Sequence, residues 1–307
     1  MRDESNSYRV GVIGLGLIGG SLALGLKRAS FASRVTGYDI DPQVPPRAVE
    51  FGVIDDYAGS LAGLLERVDV VVISAPTLAS ERALREIFVE LAQTPRDIWI
   101  TDVASVKGPL CAVAEAVEGD LGGRFIPGHP IAGSERSGVG AADAGLFVGH
   151  RVVLTPTSCS MPAGVALVSL MWEALGAAVV QMSVEEHDRV LAATSHLPHV
   201  LAYTLVQALA QSEESSDIFR LAAGGFRDFT RIASSDPVMW RDISLANSAA
   251  LVRWIDVYSE RLGELRSFID QGDGVALEQV FSDAKRARDD FAQSLPARPG
   301  RKAPKRN

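Results

Sequence analysis

Tyr8-Arg9-Val10-Gly11-Val12-Ile13-Gly14-Leu15-Gly16-Leu17-Ile18-Gly19-Gly20-Ser21 is the stretch that decides the fold. Its first six residues are short, β-branched and closed by glycine, as in a buried parallel strand. Leu22 to Ala29 then has helical character. Between them stands G-x-G-x-x-G, with Gly14 for the tight turn, Gly16 for close approach of backbone to a pyrophosphate, and Gly19 for helix–strand packing. Leu17 and Ile18 complete the expected cofactor-binding loop, and the N-terminus of the helix that follows presents free N–H groups to the anion. Asp39 closes a second strand, Val35–Asp39, twenty positions past Gly19. Its carboxylate suits ribose hydroxyls and repels a 2′-phosphate, so NAD is expected over NADP. The nicotinamide half is expected near Ser74-Ala75-Pro76, after a third strand at 68–74.

Outward from this loop, strands and helices alternate. A fourth strand lies at 97–102, with helices near 80–92 and 106–117. Further strands are expected at 124–127, 151–155 and 178–182, and a helix at 162–175. The pattern predicts an α/β Rossmann-type N-terminal domain with a parallel sheet covered on both faces. From Ser183 strand signals vanish. Segments 183–211 and 237–269 read as long helices, so the division expected is 1–182 for NAD binding and 183–293 for an all-α substrate and dimerisation domain. Their many apolar residues, such as Leu197, Leu205, Leu245, Leu251 and Trp254, point to a homodimer. Residues 294–307, with three prolines and five basic residues, read as a basic disordered tail or a linker.

Composition narrows the class. At 47% apolar residues, a chain of 307 can bury a sizeable core. Five of its 30 basic residues lie in the last ten positions; the remaining 25 face 38 acidic ones, a net charge of −13 that disfavours nucleic acid. Cys111 and Cys159 form no disulfide framework or zinc spacing. With no signal peptide and no membrane span, a cytoplasmic location is expected.

Candidates for chemistry follow the strands. His129 lies in Gly128-His129-Pro130-Ile131-Ala132-Gly133-Ser134-Glu135, at a strand end and on the cofactor side if that strand is parallel to the others. On residue type alone, a hydrogen-bonded loop histidine explains it as well. Ser105, in Thr101-Asp102-Val103-Ala104-Ser105-Val106-Lys107, also reads as a helix N-cap. His196 and His199 in Ser195-His196-Leu197-Pro198-His199 share a helix face at i, i+3. That spacing invites a metal, but no further ligand set is in view and none is expected. Pro198 implies a helix start or a kink. Arg231 follows Asp228 by three residues and pairs with it equally well as a surface ion pair.

Taken in order with the glycine loop, these segments and Gly224 to Trp240 (GGFRDFTRIASSDPVMW) resemble the prephenate dehydrogenase family, with its arogenate and cyclohexadienyl relatives, over residues 8 to 292. The resemblance implies NAD-dependent oxidation of prephenate to 4-hydroxyphenylpyruvate with loss of carbon dioxide, on the route to tyrosine. It implies that His129 draws the proton of the ring hydroxyl, with Ser105 as its partner. It makes Arg231 the carboxylate anchor and Asp228 an orienting residue. His199 and His196 stand beside the substrate, Glu135 near the pocket mouth, and Trp240 against the substrate or in packing. Alanine precedes Ser105 where many relatives have glycine. No regulatory segment follows the helices, so tyrosine would act by competition at the active site.

Arogenate is the alternative substrate. A β-hydroxyacid-type dehydrogenase is the less favoured enzyme, since it relies on a lysine of the second domain and none occurs between Lys107 and Lys285. An NAD-sensing protein without turnover would keep the loop but not need His129, Ser105 and Arg231 together.

Overall fold

The computed structural model describes residues 7–117, 119–133 and 136–294. Strand β1 (Tyr8–Ile13), helix α1 (Leu17–Arg28), β2 (Ala32–Tyr38), α2 (Val44–Glu50), β3 (Asp56–Tyr57), α3 (Leu61–Leu65), β4 (Val70–Ile73), α4 (Thr77–Gln93), β5 (Trp99–Asp102), α5 (Gly108–Glu115) and β6 (Phe125–Ile126) build a six-stranded sheet. Its order is β3-β2-β1-β4-β5-β6 and every pairing is parallel. This is the doubly wound arrangement, whose order reverses between β1 and β4. Strands such as Val70–Ile73, buried at every position, can only be central and covered on both faces. Leu22 and Leu26 of α1 pack on one face, and Leu84 and Ile87 of α4 on the other.

The expected later strands do not all extend this sheet. After β6, β7 (Gly128–Pro130) pairs antiparallel with β8 (Arg151–Leu154), which pairs parallel with β9 (Ala178–Gln181) after α6 (Pro162–Ala174). Pro127, which separates β6 from β7, has no N–H for the ladder, and one residue cannot form a parallel crossover. Sequence reading did not find β3, α2 and α3. A two-residue edge strand carries too little periodicity to register.

Among the described residues, only helices follow β9. The long helix expected over 183–211 is α7 (Val184–Leu191) and α8 (Leu197–Ala210), joined by a π-helical turn at Ala192–His196. Pro198, in the first turn of α8, lacks the N–H that a regular helix needs there, which accounts for the expected start or kink. Next come α9 (Ser215–Arg220), α10 (Gly224–Thr230), α11 (Pro237–Ala246), α12 (Ser248–Gln271) and α13 (Gly274–Ser294). The segment 237–269 is thus also interrupted, at Asn247. Two compact units result, one up to Leu251 and one from Val252. Leu197 and Leu251 are buried inside the first unit and are therefore not free for a partner. Residues 295–307 lie outside the described residues. Among the described residues, no helix is long and apolar enough to cross a membrane.

Candidate active site

Parallel register sets the site. Tyr38, Ile13, Ile73 and Asp102 lie side by side across β2, β1, β4 and β5. The residues that follow them, Asp39, Gly14, Ser74 and Val103, therefore share one edge, at the carboxyl ends of the strands. Asp39 sends Oδ2 to the Leu15 N–H at 2.8 Å and Oδ1 to the Asp41 N–H at 3.0 Å. It ties the glycine loop to the end of β2.

The three glycines differ in what they permit. Gly14 has φ +88°, and a Cβ there would lie 2.3 Å from the Ser74 carbonyl oxygen. A Cβ on Gly19 would lie 2.0 Å from the Gly14 carbonyl oxygen. A Cβ on Gly16 would meet nothing within 4 Å. That open space lies at the N-terminus of α1, whose first-turn amides have no side-chain cap and no acidic neighbour. Uncapped amides around an open cradle fit a pyrophosphate. Ser74 and Ala75 are half-buried beside the loop, and Pro76 is the exposed N-cap of α4.

At the other end of the edge, Lys107 and Asp102 form a fully buried ion pair. Lys107 Nζ also donates to the Gly128 carbonyl at 2.7 Å, and Asp102 accepts from the N–H of Gly128 (3.1 Å) and of Ala104 (2.8 Å). Both peptide groups of Gly128 are held, and His129 follows directly. Removing one partner of such a pair costs about 3–5 kcal/mol. His129 stands in β7, just beyond the end of parallel β6, so it reaches the cofactor edge although its own strand is antiparallel.

The His129 ring is buried, and its Nδ1 lies 2.9 Å from His187 Nε2. His187 Nδ1 lies 2.7 Å from Asp188 Oδ1. The same carboxylate accepts from the Lys107 and Gly108 N–H groups, each at 2.9 Å, and so caps α5 from a distant helix. Burial pushes the Asp188 carboxyl up. The bonds from His187 and from these amides outweigh it and hold the group below the ordinary carboxylate range. Burial, then the nearby His187, Lys107 and His196, push His129 well below an ordinary histidine.

His196 is 1% exposed. Asn247 Nδ2 donates to its Nδ1 at 3.2 Å and to the Asp188 carbonyl at 2.8 Å, the inward turn that interrupts 237–269. Burial lowers the His196 pKa to about 4; Asp188 opposes, and His187 and His199 add to the lowering. His199 donates Nδ1–H to the Ser195 carbonyl at 2.8 Å and stacks on Trp240, with ring centroids 3.6 Å apart. Burial lowers its pKa too, with the Arg231 charge contributing. Arg231 is thus near His199; it and Asp228 are exposed. Ser105 is half-buried in the loop before α5. That helix begins at Gly108 with Lys107 as N-cap, so Ser105 is not its cap. Among the described residues, the His129 ring bonds His187 rather than Ser105. Glu135 lies outside the described residues.

Sequence reading missed His187, Asp188, Lys107, Asp102 and Asn247 as site residues. One signal was present: a His-Asp pair on the buried face of α7, an otherwise charged helix. Among the described residues, no group of three or more His, Cys, Asp or Glu is arranged to hold a metal ion.

Two family models match this chain. One, described as prephenate dehydrogenase, nucleotide-binding domain, covers residues 22–181; the other, prephenate dehydrogenase, dimerization domain, covers 183–283. The chain belongs to the prephenate dehydrogenase family. It is 38% identical to a prephenate dehydrogenase of Bacillus subtilis over 93% of this chain and 75% of that one. It is 36% identical to a cyclohexadienyl dehydrogenase of Zymomonas mobilis over 91% and 94%. The crystal structure of prephenate dehydrogenase from A. aeolicus with hydroxyphenyl propionate and NAD+ superposes with a TM-score of 0.83 at 39% identity, over 92% of this chain and 98% of that one.

Proposed function

We propose that this protein is an NAD-dependent prephenate dehydrogenase, which converts prephenate to 4-hydroxyphenylpyruvate and carbon dioxide in tyrosine biosynthesis. The observation that carries the reading is the shared edge: an uncapped, open glycine cradle at one end and a buried, low-pKa histidine at the other. Gly14, Gly16, Leu17, Ile18 and Gly19 would hold the pyrophosphate, Asp39 the ribose, and Ser74 to Pro76 the nicotinamide side. Bound there, NAD+ supplies the hydride acceptor.

His129 accepts the 4-hydroxyl proton at Nε2, since its Nδ1 is engaged with His187. An imidazole kept neutral by burial is ready for this at ordinary pH. Ser105 contacts the same hydroxyl. Arg231 binds a substrate carboxylate, with Asp228 and Glu135 orienting at the mouth. His199, backed by Trp240, and His196 line the substrate. Residues 1–182 are read as the NAD-binding domain and 183–293 as the helical substrate and dimerisation domain, which brings in Arg231, His199 and His196.

A homodimer is part of the reading. Within the unit from Val252 on, Val252, Leu262, Ile269, Val275, Phe281 and Phe291 are exposed. An apolar surface of this kind fits an obligate interface. We place the enzyme in the cytoplasm, without nucleic-acid or membrane partners, and with tyrosine as a competitive inhibitor.

The test is NADH formation at 340 nm with prephenate and with arogenate, each with and without tyrosine. Prephenate is expected to have the higher kcat/KM. A higher value for arogenate would favour the arogenate (cyclohexadienyl) reading, to which the Zymomonas relative is the pointer. No turnover of either would overturn both.

A further inference from the structure

Three side chains from two distant segments form a line: Asp188 Oδ1 to His187 Nδ1 at 2.7 Å, and His187 Nε2 to His129 Nδ1 at 2.9 Å. We propose that His187, aimed by Asp188, is the positioning residue of His129: it fixes the tautomer that leaves His129 Nε2 bare, and it takes the Nδ1 proton when Nε2 is protonated. The inference rests on the reading of His129 as the acceptor of the hydroxyl proton.

Hydrogen-bond polarity leaves one neutral arrangement. The Asp188 carboxylate already accepts two backbone N–H groups and is ionised, so it faces a donor. His187 must carry its proton on Nδ1, and its Nε2 is then an acceptor. His129 Nδ1 must therefore carry a proton, which leaves Nε2 as the only lone pair of that ring. The reverse tautomer would set a bare His187 nitrogen against a carboxylate oxygen.

The line also decides where a proton rests. The described charged and titratable groups around His129 are Lys107, paired with Asp102, from the loop before α5; His187 and Asp188 from α7; and His196 from the π turn. Lys107 opposes a positive charge on His129. Asp188 favours one on His187. As His129 Nε2 gains the substrate hydroxyl proton, the Nδ1–H bond breaks and that proton passes to His187 Nε2. His187 becomes the imidazolium, bonded to Asp188.

The chemistry needs only a loan. Prephenate and NAD+ become 4-hydroxyphenylpyruvate, carbon dioxide and NADH with no net proton released, because the product phenol keeps its hydroxyl hydrogen. As the pair of electrons from the broken carboxyl bond aromatises the ring, the phenolate oxygen recovers the proton by the reverse shift. His187 has no exposed side-chain surface, and its chain ends on Asp188. A closed-ended chain suits a proton that is returned.

Asp188 also caps α5, so Asp188→Asn would disturb folding as well, and His187→Asn is the better variant. Its kcat is expected to fall roughly 10²-fold, as for a lost tautomer-fixing partner, with KM for prephenate within about threefold. Protonation of the coupled pair sets the acid limb of the wild-type rate profile. In His187→Asn the limb should move down by about one pH unit or more, because the charge must then sit on His129 beside Lys107. A kcat within twofold of wild type, or an unmoved limb, would overturn the inference. A wild-type measurement needs no variant to fold: long-range ¹⁵N–¹H spectra at neutral to alkaline pH should show Nδ1–H tautomers for both rings. An Nε2–H tautomer at His129 would overturn it equally. If His129→Asn itself keeps wild-type kcat, the proton-acceptor reading fails instead.

Discussion

The glycine loop and the histidine cluster flank one edge of the same sheet, yet they do their work with different parts of the chain. The loop offers backbone, so its proposed function is a matter of where a Cβ can be absent and which amides stay uncapped. The cluster offers side chains, those of Asp102, Lys107, His129, His187, Asp188, His196, His199, Trp240 and Asn247, joined by hydrogen bonds or stacking. A loop change should thus act on cofactor affinity or folding, and a cluster change on protons and rate.

The largest effect should come from the cluster. His129→Asn keeps a polar side chain but removes the acceptor, so kcat should fall by roughly 10²–10⁴ with KM little changed. The wild-type acid limb, set by protonation of the His129–His187 pair, should be missing from the variant's residual rate. A persistent limb would direct attention to His199. Arg231→Ala should show the opposite split. In its proposed role Arg231 neutralises a carboxylate present in ground and transition states alike, so KM should rise and kcat change little. The loss should be on the order of 2–5 kcal/mol in kcat/KM. A fall confined to kcat would remove Arg231 from the anchor role.

How much of this was legible in the sequence follows from the same contrast. The strand, the three glycines and Asp39 are contiguous or evenly spaced, and each has one steric or electrostatic job, so the cofactor end could be read from the chain. His129 and Ser105 could be singled out only because neighbouring motifs agreed. His187 carried only the weak local signal of a His-Asp pair in an otherwise charged helix, because its importance comes from its contact with His129 of β7. Lys107 stood in a quoted motif, but only the sheet register shows that it grips Gly128. The π turn was signalled only by Pro198, and the break at Asn247 by nothing, because helical periodicity continues through it.

The pH dependence of folding gives a middle-sized test. His196 has a folded pKa of about 4 against roughly 6.5 for a free histidine. The unfolded chain therefore binds more protons between these values. The stability contributed by neutral, buried His196 is complete above about pH 6.5 and is lost as pH falls toward 4, on the order of 2–3 kcal/mol. Asp188 is lost only lower, as pH falls through its own depressed pKa. Urea midpoints at pH 7 and 4.5 should differ more for wild type than for His196→Asn. Equal losses would mean that His196 is charged in the folded protein.

Within the loop, Gly16→Ala and Gly19→Ala should separate binding from folding. Alanine at 16 meets no protein atom, so it should melt like wild type while weakening NAD+ by about 1–3 kcal/mol, where its methyl group meets the phosphate. Alanine at 19 presses on the Gly14 carbonyl and should lower stability by about 1–3 kcal/mol before any cofactor is added. Calorimetry of the two apo proteins and titration with NAD+ check the split. A Gly16→Ala protein that binds NAD+ as wild type does would mean that the pyrophosphate lies elsewhere.

The smallest expected effect belongs to Asp39, which the contrast does not divide cleanly. It is a side chain, yet it serves the backbone end by accepting the Leu15 and Asp41 N–H groups. Asp39→Asn retains one acceptor oxygen and replaces the other with a donor, which cannot accept either amide. One backbone hydrogen bond is lost, for about 1 kcal/mol of stability. The negative charge proposed to face the ribose goes with it, so discrimination against the 2′-phosphate should weaken as well, and the ratio of kcat/KM for NAD+ over NADP+ should fall about tenfold. The two losses are separable. If Asp39 served only as a loop tether, both cofactors would weaken together and the ratio would stay fixed. A ratio that falls while the melting point drops by only a few degrees assigns the carboxylate to both tasks. A wild type that prefers NADP+ would remove the ribose role altogether.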